Sequence, residues 1–131
     1  MGETQNKIKF FVVEDHTLTN RGIRELISER NRFKCVGYAF TKSESLEKLN
    51  ELSKESNLPD ILFLDLFLGE ESGLDILRSL KEKYPQIKVL VITGMNKQSL
   101  NKEIIESGAN DILYKPFDME DLTLALKKLA K

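Results

Sequence analysis

The stretch Pro59 to Gly73, P-D-I-L-F-L-D-L-F-L-G-E-E-S-G, decides how the rest of the chain is read. Four consecutive apolar residues, Ile61 to Leu64, describe a strand buried on both faces, because a strand with one wet face would alternate apolar and polar residues. The run delivers one acid, Asp65, at its C-terminal end. In an open α/β sheet ligands bind beyond the carboxyl ends of the strands, so Asp65 stands where a site is expected. A lone Asp after a strand can equally cap it or start a turn. What decides between these readings is whether other strands bring partners to the same place.

With 131 residues the chain is long enough for one domain with a real core and no need of metal or disulfide support. Its 40% hydrophobic and 31% charged residues are ordinary for a globular protein. No apolar run reaches the length of a membrane span, and Met1 to Lys7 is polar with no signal-type apolar region. A cytoplasmic protein without membrane contact is expected. Cys35 is the only cysteine, which excludes an internal disulfide and a thiol cluster for zinc. Lys and Arg number 20 against 21 Asp and Glu, a formal charge of -1, so direct nucleic-acid binding is not expected. The one basic cluster, Lys127, Lys128 and Lys131, is explained by the negative end of a helix dipole.

Outward from the central stretch, strand and helix signals alternate. Ile8 to Val13 is rich in β-branched and aromatic residues and closes on Glu14-Asp15. Thr17 to Glu29 follows as a helix in which Ile23, Leu26 and Ile27 share a face with Leu18, capped by Thr17 or Thr19. Phe33 to Phe40 reads as a second strand, where Gly37 predicts an edge position or a bulge. Ser43 opens a helix with the stripe Leu46, Leu49 and Leu52, and Asn57 to Pro59 ends it. After the central strand, Gly69 to Gly73 reads as a loop, and Leu74, Leu77 and Leu80 mark a helix stopping before Pro85. Lys88 to Thr93 is a fourth strand ending in a hydroxyl. Gln98 to Ser107 is a helix with Leu100, Ile104 and Ile105 inside and Gly108 as a left-handed C-cap. Asp111 to Tyr114 leads as a fifth strand into Lys115-Pro116, and Asp118 caps a last helix bearing Leu122, Ala125, Leu126 and Leu129.

Five β-then-α units in tandem require a parallel sheet covered by helices on both faces, with right-handed crossovers. The expected fold is a flavodoxin-like (βα)5 doubly wound sheet with strand order 2-1-3-4-5, the order that class carries. One domain over residues 1–131, with no output domain, is expected. The switch point between strands one and three then gathers Glu14, Asp15 and Asp65, and strands four and five bring Thr93 and Lys115 to the same rim. Three crowded carboxylates repel one another unless a cation neutralises them. Magnesium suits an oxygen-only set with room for water and a phosphoryl oxygen, whereas calcium wants more oxygens and zinc wants Cys or His. Lys115 and Thr93 can hold the oxygens of a transferring phosphoryl group, and Asp65 on the central strand is the natural nucleophile. An Asp15 or Asp65 ion pair with Lys115 that merely holds the rim together is the simpler alternative.

The set V-V-E-D, F-L-D-L-F-L-G-E-E-S-G, V-I-T-G and Y-K-P-F resembles a response-regulator receiver domain across nearly the whole chain. The opening V-E-D-H-T-L-T-N-R-G-I-R-E-L-I resembles receivers joined to helix-turn-helix output domains. The resemblance implies a signalling switch rather than an enzyme with its own turnover. Asp65 would be the phosphoacceptor, with Glu14, Asp15, Asp65 and the Phe67 backbone carbonyl holding Mg2+. Thr93 and Lys115 would contact the phosphoryl group, and Lys115-Pro116 would be a cis peptide. The implied partner is a histidine kinase or histidine phosphotransfer protein, with helix four and strand five carrying the output. A downstream protein, or a second copy docked through helix four and strand five or through helices one and five, would receive it.

Four positions depart from the family pattern. Glu14 replaces the usual Asp on the water-mediated side of the metal site, and Gly69 stands where Pro is common. Ile112 occupies the place of an aromatic residue that swings inward when Thr93 moves, and Tyr114 lies on the same strand face by period-two alternation. Gly94 and Met95 follow Thr93, the first leaving access to Asp65 and the second shielding it. Ile112 and Glu14 motivate a second reading, a receiver-like interaction module that works without phosphorylation. A flavin-binding or hydrolytic protein of this topology is disfavoured: Glu14-Asp15 repels a flavin phosphate, no glycine-rich phosphate loop exists, and Phe67 occupies the second acid position of a D-x-D hydrolase pattern. His16, the only histidine, is expected at the surface or as a cap.

Overall fold

The computed structural model describes residues 7–68 and 71–129. Its strands are β1 (Ile8–Val13), β2 (Phe33–Ala39), β3 (Ile61–Asp65), β4 (Lys88–Thr93) and β5 (Asp111–Tyr114). The helices are α1 (Thr17–Ser28), α2 (Lys42–Lys54), α3 (Gly73–Lys83), α4 (Gln98–Glu106) and α5 (Met119–Leu129). All strands pair in parallel in the order β2-β1-β3-β4-β5, the flavodoxin-like arrangement the sequence predicts. No helix among the described residues is long and apolar enough to cross a membrane.

Alternation along the strands divides the core into two layers. Phe11, Val13, Leu62, Leu64, Val89 and Val91 face one way and pack under Leu49 of α2, Ile76, Leu77 and Leu80 of α3, and Ile104 of α4. Phe10, Val12, Ile61, Phe63, Leu90 and Ile92 face the other way, against Ile23 and Ile27 of α1 and the Leu122, Ala125, Leu126 and Leu129 stripe of α5. Every residue of β3 is buried, so its end can reach the surface only at the rim, and that is where Asp65 lies.

Gly37 marks both features the sequence suggests. β2 is an edge strand, and its register to β1 slips between Phe10, opposite Cys35, and Phe11, opposite Gly37, leaving Val36 as a bulge residue. Gly108 closes α4 with φ +118°, as a C-terminal glycine should. Asp118 and Asp121 cap α5 reciprocally, each backbone N–H donating to the other's carboxylate at 3.1 and 2.8 Å.

Local details differ from the sequence reading. Leu18 is 72% exposed, because at about 100° per residue it points roughly opposite to Ile27. Ile105 is also exposed, turned roughly 100° away from the fully buried Ile104. His16, expected at the surface or as a cap, is exposed and caps α1 in place of Thr17 or Thr19: its Nδ1 accepts from the Thr19 N–H. Thr41, two residues before Ser43, caps α2 by accepting from the Glu44 N–H at 3.2 Å. The second strand stops at Ala39, one residue before Phe40, which is half-buried and packs edge-on against Tyr38. Within the segment expected as the loop Gly69 to Gly73, Glu71–Ser72 pairs antiparallel with Phe67–Leu68 in a short ribbon, and Gly73 already belongs to α3. Gly69 and Lys131 lie outside the described residues.

Candidate functional site

Four strands converge on one rim. Glu14 and Asp15 follow β1, Asp65 ends β3, Thr93 ends β4, and Lys115 follows β5. Ligand oxygens of Glu14, Asp15 and Asp65 all lie within 4.8 Å of one another. The Lys115 ammonium bridges two of these acids, 2.9 Å from Asp65 Oδ2 and 3.4 Å from Glu14 Oε1. Asp15 is exposed, whereas Glu14 and Asp65 are buried. The ion pair weighed as the simpler alternative is therefore present, through Asp65 and Glu14. It leaves three carboxylates against one ammonium, and the Asp15 side of the cluster carries the surplus negative charge.

Backbone geometry holds the groups in place. The Glu14 side chain curls back so that Oε2 accepts from the His16 N–H at 2.9 Å. Asp65 Oδ1 accepts from the Phe67 N–H at 3.0 Å, which fixes the carboxylate and keeps the Phe67 backbone at the rim. The Lys115 N–H donates to the Thr93 carbonyl at 2.8 Å, tying the ends of β4 and β5 together. Lys115-Pro116 is a cis peptide. Thr93 is fully buried, and its hydroxyl accepts from the Met95 N–H at 3.1 Å rather than bonding to any of the acids. Gly94 is exposed, and a side chain there would meet nothing within 4 Å, so the rim is open at this point.

Burial raises the Glu14 carboxyl from 4.5 to about 7, reinforced by its hydrogen bond with Asp65 and the Asp65 charge and opposed by the His16 N–H and Lys115. Burial works against the Lys115 ammonium, but the Asp65 hydrogen bond and the charges of Asp65 and Glu14 outweigh it and hold its pKa above the ordinary value. An all-oxygen donor set with surplus negative charge fits a hard divalent cation such as Mg2+, and among the described residues no His or Cys joins the cluster to favour zinc.

The sign of the Glu14 shift gives a pH prediction. A carboxyl whose pKa rises on folding stabilises the native state fully below its unfolded value of 4.5 and loses that contribution as pH rises through about 7. Metal-free protein should therefore lose on the order of 1–3 kcal/mol from this group between about pH 5 and pH 8. Glu14→Gln should flatten that part of the profile and be the more stable form at pH 8 without metal. Thermal unfolding of both proteins across this range checks it, and parallel profiles would refute it.

Sequence reading missed one residue at this site. Asn20 is fully buried on the Ile23 and Ile27 face of α1 and donates from Nδ2 to the Glu14 carbonyl at 3.0 Å. The available signal was a polar residue at buried helical spacing, three and seven positions before two core isoleucines.

A doubly wound parallel sheet with an acid and lysine cluster at its switch point defines the class: a flavodoxin-like protein whose site lies at the carboxyl ends of β1, β3, β4 and β5. Within that class the chain belongs to the response regulator receiver domain family, which matches residues 10–127, and so to the signalling receivers of two-component systems. It is 30% identical over 124 residues to chemotaxis protein CheY of Listeria monocytogenes, covering 95% of this chain and 99% of CheY. The transcriptional regulatory protein DegU of Brevibacillus brevis is 28% identical over 127 residues, 97% of this chain but 52% of DegU. The chain thus spans about half the length of DegU. Among solved structures, a LuxR-family two-component response regulator from Aurantimonas sp. SI85-9A1 superposes with a TM-score of 0.83 at 25% identity, covering 95% of this chain and 86% of that one. RcsB of Salmonella typhimurium shares the fold, with a TM-score of 0.85 at 20% identity over 96% of this chain and 60% of that one.

Proposed function

We propose that this chain is a phosphoacceptor switch in which Asp65 receives a phosphoryl group from a histidine kinase or histidine phosphotransfer protein. The observation that carries the reading is the Lys115 ammonium 2.9 Å from Asp65 Oδ2, beside two further carboxylates delivered by a different strand. An Asp65 carboxylate oxygen attacks phosphorus, a P–O bond forms as the P–N bond of the phosphohistidine breaks, and the imidazole leaves with the electron pair. Lys115 stands ready to pair with a phosphoryl oxygen, and the Phe67 N–H orients the attacking carboxylate. Glu14, Asp15, Asp65 and the Phe67 carbonyl would hold Mg2+, which when bound supplies positive charge to the phosphoryl oxygens. Reorientation of the Thr93 hydroxyl away from Met95 would carry the signal to the surface formed by α4, β5 and α5. A downstream protein or a second copy is the receiver of that signal, with no direct nucleic-acid contact by this chain.

Intact-mass measurement with acetyl phosphate tests the reading. The protein should gain one phosphoryl group per chain with Mg2+, about tenfold or more slowly after chelation. A protein left unmodified with Mg2+ present would sink it.

Packing around Ile112 favours a second reading. This residue is half-buried against the α2, α3 and α4 core layer, so no aromatic ring is poised to swing at that position. A receiver-like module that binds its partner irrespective of phosphorylation would bind unchanged when Asp65 is replaced by Asn. Loss of binding on dephosphorylation would remove that reading.

A further inference from the structure

A fully buried amide on the core face of α1 links the metal acids to the end of β2. Asn20 Nδ2 donates to the Glu14 carbonyl at 3.0 Å and to the Ala39 carbonyl at 3.1 Å, so both of its N–H groups are used. Its Oδ1 accepts from Arg24 Nε at 2.7 Å. Arg24 is itself held, with its guanidinium 3.6 Å from the centre of the Tyr38 ring on β2. The Glu14 N–H also donates to the Ala39 carbonyl, at 3.1 Å. Asn20 therefore closes a bracket across the ends of β1 and β2, and the stacked Arg24 keeps the bracket in one orientation.

The bond to the Glu14 carbonyl matters more than an ordinary buried bond. That carbonyl belongs to the peptide joining Glu14 to Asp15, and the peptide is planar, so fixing its oxygen fixes the direction in which Asp15 leaves the strand. Asp15 is the exposed acid of the cluster and has no ion pair or side-chain hydrogen bond among the described residues. Its placement relative to Glu14 and Asp65 thus depends on the backbone. We propose that Asn20 is a positioning residue for the divalent cation, acting through the Glu14-Asp15 peptide. The inference rests on the reading of this rim as a Mg2+ site. It adds a role for a residue that touches neither cation nor phosphoryl group.

Asn20→Asp separates positioning from simple packing. The substitution preserves shape and the acceptor for Arg24, but it turns an oxygen towards two carbonyls that now receive no proton. Mg2+ titration of 15N-labelled protein, followed at backbone amides of the rim, should give a Kd raised about tenfold or more over wild type, the usual scale for loss of an outer-shell partner. In the metal-free state the Asp15 amide resonance should already be displaced in the variant, a readout independent of phosphorylation. Asn20→Ser, which keeps one donor, should give an intermediate Kd and serves as the folded comparison if the Asp variant does not fold. Variants that lose stability but bind Mg2+ within twofold of wild type would overturn the inference, leaving Asn20 a packing residue. A wild type that takes up no Mg2+ would overturn the reading of the rim as well, which distinguishes the two failures.

Discussion

Asp65→Asn should take up no phosphoryl group from acetyl phosphate and Mg2+ under conditions where wild type gains one per chain. The amide oxygen is a poor nucleophile and bears no charge for a cation, so both roles proposed for Asp65 are lost at once. The change is nearly isosteric, and Asn Oδ1 can still accept from the Phe67 N–H that now holds Asp65 Oδ1 at 3.0 Å. Lys115 keeps Glu14 as a partner. The hydrogen bond and charge of Asp65 both raise the Glu14 carboxyl, so removing the charge relieves part of the crowding. Against that relief stands the lost 2.9 Å ion pair with Lys115, whose ammonium would then face the amide NH2, so the variant should stay folded at pH 8 with stability within about 1–2 kcal/mol of wild type. Mass spectrometry beside thermal unfolding separates loss of chemistry from loss of fold. Phosphorylation of the variant at the wild-type rate would move the acceptor elsewhere.

Gly73→Ala should cost about 2–3 kcal/mol or more, at the high end for overpacking. A Cβ at position 73 would overlap the Leu66 carbonyl oxygen and stand 2.6 Å from its carbon, contacts with backbone that no side-chain rotation can relieve. The two segments are also hydrogen-bonded, the Gly73 N–H donating to that same oxygen at 2.9 Å. Relief requires α3 to move from the strand end or Leu66 to shift, and Leu66 is covalently next to Asp65. Loss of stability should thus come with slower phosphorylation of the molecules that remain folded. Urea unfolding measures the first effect and initial modification rate the second. A loss below about 1 kcal/mol would mean that the helix start yields more easily than its contacts imply.

Much of the fold was legible because parallel α/β architecture writes itself into local sequence. Strands buried on both faces appear as apolar runs, such as Ile61 to Leu64, and helices appear as stripes such as Leu122, Ala125, Leu126 and Leu129. Strand ends are equally visible, so Glu14-Asp15, Asp65, Thr93 and Lys115 could be placed at one rim once the strand order was assumed. Misreadings fell where one helical position decides between core and solvent. Leu18 and Ile105 are apolar residues turned outwards, and Asn20 is a polar residue turned inwards, because burial follows angular position and available partners rather than residue type alone. Caps slipped for a related reason. At α2 the neighbouring Ser43 satisfies the same preference as Thr41, and at α1 Thr17 and Thr19 compete with His16, which the sequence also offers as a surface or capping residue.

The sequence by itself determined the five-unit architecture, an irregular second strand at Gly37, and the identities of the acids and lysine, since each depends on short-range pattern and on strand termini. Only the tertiary structure decided how those groups are coupled. Lys115 lies 101 residues from Glu14 in sequence and Ala39 lies 19 from Asn20, and no local pattern encodes which donor meets which acceptor across such separations. The raised Glu14 carboxyl, the Asn20 bracket and the tight passage of Gly73 over Leu66 arise from that convergence, because desolvation, charge and steric contact act through space and not along the chain.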